Sequence, residues 1–202
     1  MEPFAAIETL LAGRTPVLIV LAGSKGAGKT TFFEEFLERD GLEFVNADRI
    51  AAQLVPRAPS AVAVPAARAA EIVRRDLVAS RRTFVMETVF SDRKGAKLAE
   101  FQTAKAQGYA ILLIFIGIDS PELSEARVLG RVAHGGHDVP SAAIRDRFPR
   151  TLANLAQALA FVDVALLFDN SDAEQPFKWV ATGKDGEPVR VVGVRPGWYP
   201  QE

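Results

Sequence analysis

Five apolar runs, at 17–22, 42–45, 83–86, 109–118 and 162–168, alternate along the chain with stretches of helical spacing. The runs have strand length, and the alternation predicts a parallel sheet with helices on both faces. Helices are expected over 28–39, 49–54, 66–80, 94–107, 121–133 and 140–159. Asp40-Gly41 breaks the first and Gly108 closes the fourth. Ser120 caps the fifth with Pro121 at its first position, and Pro149 should bend the sixth. Residues 56–65 carry three prolines and read as a loop. Two further runs, 177–181 and 189–194, are joined through Asp185-Gly186 and predict a hairpin-like C-terminal β extension.

The expectation is an α/β fold of the P-loop NTPase or nucleotide-kinase kind. It has a mostly parallel sheet of about five strands between helices, with the β extension added at the end. The 202 residues read as a single domain, with an arginine-bearing lid near 127–150 and the extension near 172–202.

Composition narrows the function classes. Hydrophobic residues make up 49% and charged ones 24%, the balance of a globular protein. The net charge of −1 argues against nucleic-acid or anionic-membrane partners. There is no cysteine, which fits a reducing compartment and excludes disulfides and thiolate metal sites. The start, Met1-Glu2-Pro3-Phe4, lacks the basic and long apolar regions of a signal peptide. A cytoplasmic location is expected.

Between the first apolar run and the first helical stretch stands Gly23-Ser24-Lys25-Gly26-Ala27-Gly28-Lys29-Thr30. It matches the P-loop pattern G-x-x-x-x-G-K-[ST] in its strand–loop–helix setting. Glycines allow backbone N–H groups to close around phosphate oxygens, and the helix N-terminus adds positive potential there. Lys29 is expected on the β- and γ-phosphates of ATP, Thr30 on Mg²⁺, and Thr31 beside them.

In open α/β sheets, ligands bind beyond the carboxyl ends of the strands. The second run ends at Asn46-Ala47-Asp48 and the third at Glu87-Thr88-Val89-Phe90-Ser91. Asp48 has two readings: the base that takes a hydroxyl proton from a phosphoryl acceptor, or a cap for the helix that follows. Glu87 stands where a Walker B acid would. It would hold Mg²⁺ through water, bind a substrate hydroxyl or amide, or pair locally with Arg82 or Arg93. Asn46, Thr88 and Ser91 share these strand ends and are expected to line the acceptor.

Arg127, Arg131, Arg145, Arg147 and Arg150 flank a glycine turn, Gly135-Gly136, that would serve as a lid hinge. Helical arginines are often a solvated face, but phosphoryl transfer needs its charge neutralised. His134 and His137 lack a third ligand nearby, so no zinc site is expected.

The ordered set resembles the zeta toxin family, closest to its small stand-alone bacterial branch. It comprises Gly23 to Thr30, Asn46-Ala47-Asp48, Glu87-Thr88-Val89-Phe90-Ser91, Gly135-Gly136-His137-Asp138-Val139-Pro140, Ile144-Arg145-Asp146-Arg147 and Leu167-Phe168-Asp169-Asn170-Ser171. The resemblance runs from residue 17 to 171 and leaves the tail uncovered. It implies a kinase that uses ATP and Mg²⁺ to phosphorylate a sugar hydroxyl of UDP-N-acetylglucosamine, and a small helical antitoxin that blocks the ATP site. Carried over, the P-loop lysine is Lys29, the catalytic aspartate Asp48 and the substrate-binding acid Glu87. Of the lid arginines, Arg131 is the first choice for phosphate, with Arg145 and Arg147 next.

Two other readings stand beside this one. The acceptor is another small hydroxyl compound, such as a nucleoside, an antibiotic or a different sugar. Or the chain is a nucleotide-dependent switch with no acceptor, a reading that Asp48 and Glu87 together disfavour. A nucleic-acid end kinase is disfavoured by the near-neutral charge.

Overall fold

The first apolar run forms strand β1 (Val17–Ala22), and every one of its residues is buried. It can be so because helices cover both faces of the sheet. The computed structural model describes residues 2–38, 41–133, 139–187 and 190–200. In chain order the helices are α1 (Pro3–Leu11), α2 (Lys29–Phe32), α3 (Ala47–Leu54), α4 (Ala63–Ala79), α5 (Ala96–Ala106), α6 (Pro121–Ala133) and α7 (Ser141–Leu159). The remaining strands are β2 (Glu43–Val45), β3 (Phe84–Thr88), β4 (Ala110–Gly117), β5 (Val164–Asp169), β6 (Lys178–Lys184) and β7 (Arg190–Val191).

The sheet has seven strands in the order β2-β3-β1-β4-β5-β6-β7. The first five in that order are parallel, and the last two join antiparallel. The sheet is therefore wider than the expected five strands, because the C-terminal extension pairs with the edge of β5 instead of standing apart. β1 lies between β3, in the register Leu21↔Glu87, and β4, in the register Leu21↔Ile114.

Alternation along β1 sorts the core into two layers. Leu18, Val20 and Ala22 pack with Leu77 of α4, Phe101 of α5 and Leu155 of α7. Val17, Ile19 and Leu21 pack with Ile7 of α1 and with Phe32, Phe33 and Leu37. Helix α1 has no counterpart among the expected elements. Its signal is the spacing of Phe4, Ile7, Leu10 and Leu11, with Pro3 in the first turn.

The helix after the P-loop is not uniform. α2 passes directly into a π-helical turn, Phe33–Leu37. The wider turn narrows the angle between successive side chains, and the adjacent Phe32 and Phe33 both bury. Phe33 stacks on Phe44 of β2 with ring centroids 3.9 Å apart. Residues 59–62, expected within a loop, form a 3₁₀ turn that leads into α4. α7 runs on through Pro149. The Gly135-Gly136 hinge lies outside the described residues. Among the described residues no helix is long and apolar enough to cross a membrane.

The tail also braces the sheet from its carboxyl end. Trp198 is buried, and its indole N–H donates to Asp169 Oδ1 at 2.8 Å. Its ring lies against Gly117 so closely that a Cβ there would sit 2.1 Å from the indole. Trp198→Ala should therefore lower the unfolding free energy by about 3–5 kcal/mol. Gly117→Ala, which overpacks the same contact, should lower it by about 1–3 kcal/mol. Urea unfolding followed by far-UV circular dichroism checks both. A Trp198→Ala transition superimposed on the wild type would show that the tail does not brace the sheet.

Candidate active site

The P-loop leaves the carboxyl end of β1 and closes on α2. Gly28 is the residue at which it turns, with φ +94°. A Cβ there would be strained and would lie 2.5 Å from Asn170 Nδ2. Asn170, just past β5, donates from that nitrogen to the Ala27 carbonyl at 2.8 Å, and its Oδ1 accepts from the Phe177 backbone. One amide thus ties the P-loop to the loop after β5. Asn170 was part of the resemblance but not of the expected site, and its signal is its place just past a strand end.

Lys29 is buried, with its ammonium donating to the Ser24 carbonyl at 2.9 Å and lying 3.7 Å from Glu87 Oε1. Burial pulls its pKa below the ordinary lysine value, and Lys25 and Arg131 push the same way, while Glu87 and Asp48 oppose them. Glu87 Oε2 accepts from Thr30 Oγ1 at 2.8 Å and from Asn46 Nδ2 at 2.7 Å. The local pairing left open for Glu87 is not what forms. Arg82 pairs with Glu43 and Arg93 with Asp146.

Asn46 also settles what caps α3. Its Oδ1 accepts from the backbone N–H of Asp48 at 2.7 Å and of Arg49 at 3.2 Å, so it is the N-cap. The helix begins two residues earlier than expected, and Asp48 lies in its first turn with its side chain free of the capping task. Its carboxylate instead accepts from Lys25 Nζ. Burial works to raise the Asp48 pKa, but Lys25, then Lys29 and Arg131, outweigh it and hold the carboxyl below the usual aspartate value.

Two cavities meet at these acids. One, of about 370 Å³, is lined by Lys25, Gly26 and Gly28 to Thr31 of the P-loop together with Asp48, Glu87, Arg127 and Arg131. The second, of about 210 Å³, is lined by Asn46, Asp48, Glu87, Thr88, Arg74 and Lys97, among others. Asp48 and Glu87 border both. A larger cavity of about 590 Å³ between α4 and α5 shares Arg74 and Lys97 with the second but lies away from the P-loop.

The remaining expected residues divide. Arg131 and Thr31 line the P-loop cavity, and so does Arg127, whose Nη2 donates to the Ser171 carbonyl at 3.3 Å. Ser91, farther along the loop after β3, and Arg147, on α7, line a cavity of about 390 Å³ with Thr88 and Arg150. Arg147 also borders Ser24 and Lys25. The Thr88 oxygen accepts from the Phe90 backbone, where it holds a tight turn. Arg145 is not brought to the cleft: its guanidinium is engaged by Glu125 at 2.6 Å and Glu122 at 3.7 Å on α6. These partners lie about one helical turn apart on α6 and hold the arginine between them. The structure adds Ser124, fully buried on α6, which donates to the Lys25 carbonyl at 2.5 Å.

The donor set fits the groups that the P-loop implies. The glycine turn leaves the backbone cradle open to phosphate, and Thr30 with Glu87 offers the hard oxygens that suit Mg²⁺. Among the described residues there is no cluster of three or more His, Cys, Asp or Glu that could hold a metal. Mg²⁺ in such sites is instead held by one or two protein oxygens and the phosphates.

Comparison with known proteins bears on the fold. A Haemophilus influenzae protein described as uncharacterized is 29% identical over 131 residues, covering 64% of this chain and 91% of its own length. The AvrRxo1-ORF1:AvrRxo1-ORF2 structure with sulphate ions matches with a TM-score of 0.70 at 20% identity over 93% of this chain. This chain spans 64% of that one. The same pair with ATP matches at a TM-score of 0.69 and 20% identity over the same shares. The PezAT chromosomal toxin–antitoxin system of Streptococcus pneumoniae matches at 0.60 and 19% identity, over 82% of this chain and 74% of that one. The shared fold is a mostly parallel sheet flanked by helices, that of P-loop nucleotide kinases. The model of the AAA domain family matches residues 18–156, from β1 through the P-loop, Asp48 and Glu87 into α7, and the chain belongs to that family.

Proposed function

We propose that this chain is a kinase that transfers the γ-phosphoryl group of ATP to a hydroxyl of a small molecule. The observation that carries the reading is that Asp48 and Glu87 border both the P-loop cavity and the second cavity beside it. A nucleotide switch needs only the first, whereas a transferase needs a donor and an acceptor space that meet at a base.

In this reading the P-loop backbone, Lys29, Arg131 and Arg127 hold the donor phosphates. Thr30 holds Mg²⁺, which neutralises phosphate charge when bound. The acceptor hydroxyl lies in the second cavity, among Asn46, Glu87 and Thr88. As its oxygen bonds to the γ-phosphorus, the bond to the bridging oxygen breaks, ADP leaves, and Asp48 takes the hydroxyl proton. A carboxylate with a depressed pKa suffices, because a loose transition state leaves little negative charge for the base to create.

The resemblance to zeta toxins makes a UDP-N-acetyl sugar the first acceptor to try. The likeness to a toxin–antitoxin system supports looking for a small helical antitoxin over the ATP cavity. The reading further takes residues 1–202 as one domain working in the cytoplasm, with a lid over 127–150.

ATP consumption by the purified chain, screened across UDP-sugars, nucleosides and aminoglycosides, tests the proposal. Stimulation by UDP-N-acetyl sugars is expected. Stimulation by another class keeps the kinase and replaces the acceptor, and no stimulation by any hydroxyl compound favours the switch. Lys29→Met, which keeps the buried stem, should abolish acceptor-stimulated turnover, and unchanged turnover would sink the kinase reading. Asp48→Asn should lower turnover by about two orders of magnitude or more while ATP affinity barely changes. Lost ATP affinity with unchanged saturated turnover would make Asp48 a nucleotide or metal ligand instead.

A further inference from the structure

The P-loop pattern leaves its third residue unspecified, and here that residue is a lysine whose ammonium donates to Asp48. We propose that Lys25 is a positioning residue for Asp48, an inference that rests on reading Asp48 as the base. It holds the carboxylate at the border of the two cavities, turned to receive the acceptor proton.

Both ends of this contact stand on anchored backbone. On the lysine side, the Lys25 carbonyl accepts from the buried Ser124 hydroxyl. The next residue, Gly26, packs so near α6 that a Cβ would lie 3.1 Å from the Ser124 carbonyl oxygen. On the aspartate side, Asn46 fixes the Asp48 backbone at the start of α3. The backbone needs no further ordering for the contact, and only the side-chain rotamers are fixed when the two meet.

The pair is not there for stability. The Asp48 side chain is 60% exposed, so solvent screens the attraction and the pair contributes little to folding. What the contact does is direct a carboxylate that would otherwise swing into solvent. It also sets the charge around it. Lys25, Lys29 and Arg131 act on Asp48 as cations, while Glu34, Glu87 and Arg127 line the same cavity. Lys29 already serves Ser24 and Glu87. Without Lys25, the Asp48 carboxylate would lose its direct partner and keep the more distant pull of Lys29 and Arg131, while Glu34 is met by Arg49.

The test uses the full chain and the variants Lys25→Met and Lys25→Arg. Titration of the Asp48 carboxyl carbon by NMR needs no acceptor. Its midpoint should move upward, toward the ordinary aspartate range, in Lys25→Met and return in Lys25→Arg. With an acceptor from the screen, Lys25→Met should lower kcat by roughly 10- to 100-fold with little change in KM for ATP, as for a misplaced catalytic group. The double variant with Asp48→Asn should be no slower than Asp48→Asn alone. An unmoved midpoint, or multiplied effects in the double variant, overturns the inference. A raised KM for ATP at unchanged kcat does so too, since Lys25 would then be a phosphate contact. Wild-type turnover in Asp48→Asn would instead overturn the base reading, and the titration would still report whether Lys25 holds the carboxylate.

Discussion

One carboxylate oxygen, Glu87 Oε2, accepts both the Thr30 hydroxyl at 2.8 Å and the Asn46 amide at 2.7 Å. Its partner oxygen lies 3.7 Å from the buried Lys29 ammonium. Three strand ends meet on this side chain: β1 through the P-loop, β2 through Asn46, and β3 itself. A buried lysine without a nearby anion is costly, so Glu87 and Lys29 depend on one another. Asn46 is bound into the same arrangement, because the side chain that donates to Glu87 also caps α3 and so sets where Asp48 stands.

The other side of the P-loop is held by different chemistry. Asn170 reaches the Ala27 carbonyl, and Ser124 reaches that of Lys25. Neither contact involves charge, and both satisfy backbone oxygens at the crest of a loop whose N–H groups must stay open for phosphate. Trp198 closes the array from the tail by bonding Asp169, which the Ser171 hydroxyl also reaches at 2.6 Å. The C-terminal extension is thus continuous with the nucleotide side of the cleft.

The arginines show how far geometry redistributes a sequence signal. Arg127 and Arg131 stand one turn apart on α6 and share a face, so both reach the P-loop cavity. Arg145, on α7, meets Glu122 and Glu125 before it can reach the cleft. Arg150 is likewise engaged, by Asp146 at 2.6 Å and the Ser91 carbonyl at 2.9 Å.

Whatever depends on local pattern could be read from the residues alone. The uninterrupted apolar run before Gly23, the glycine spacing of the P-loop and the alternation of runs with helical stretches were enough for the parallel sheet and its phosphate end. They also placed Asp48 and Glu87 on the rim that holds the phosphates, since strand ends share one rim in such a sheet. The π turn after α2 was less legible, because its form follows from the packing of Phe33 on Phe44 of the neighbouring strand. Which partner Glu87 takes and which arginines face the cleft emerged only once the chain was folded. Both outcomes rest on contacts between side chains tens of residues apart, settled by which donor and acceptor the fold brings within hydrogen-bond distance. The pairing of Lys25 with Asp48 across 23 positions is of this kind: spacing along the chain carries no information about it.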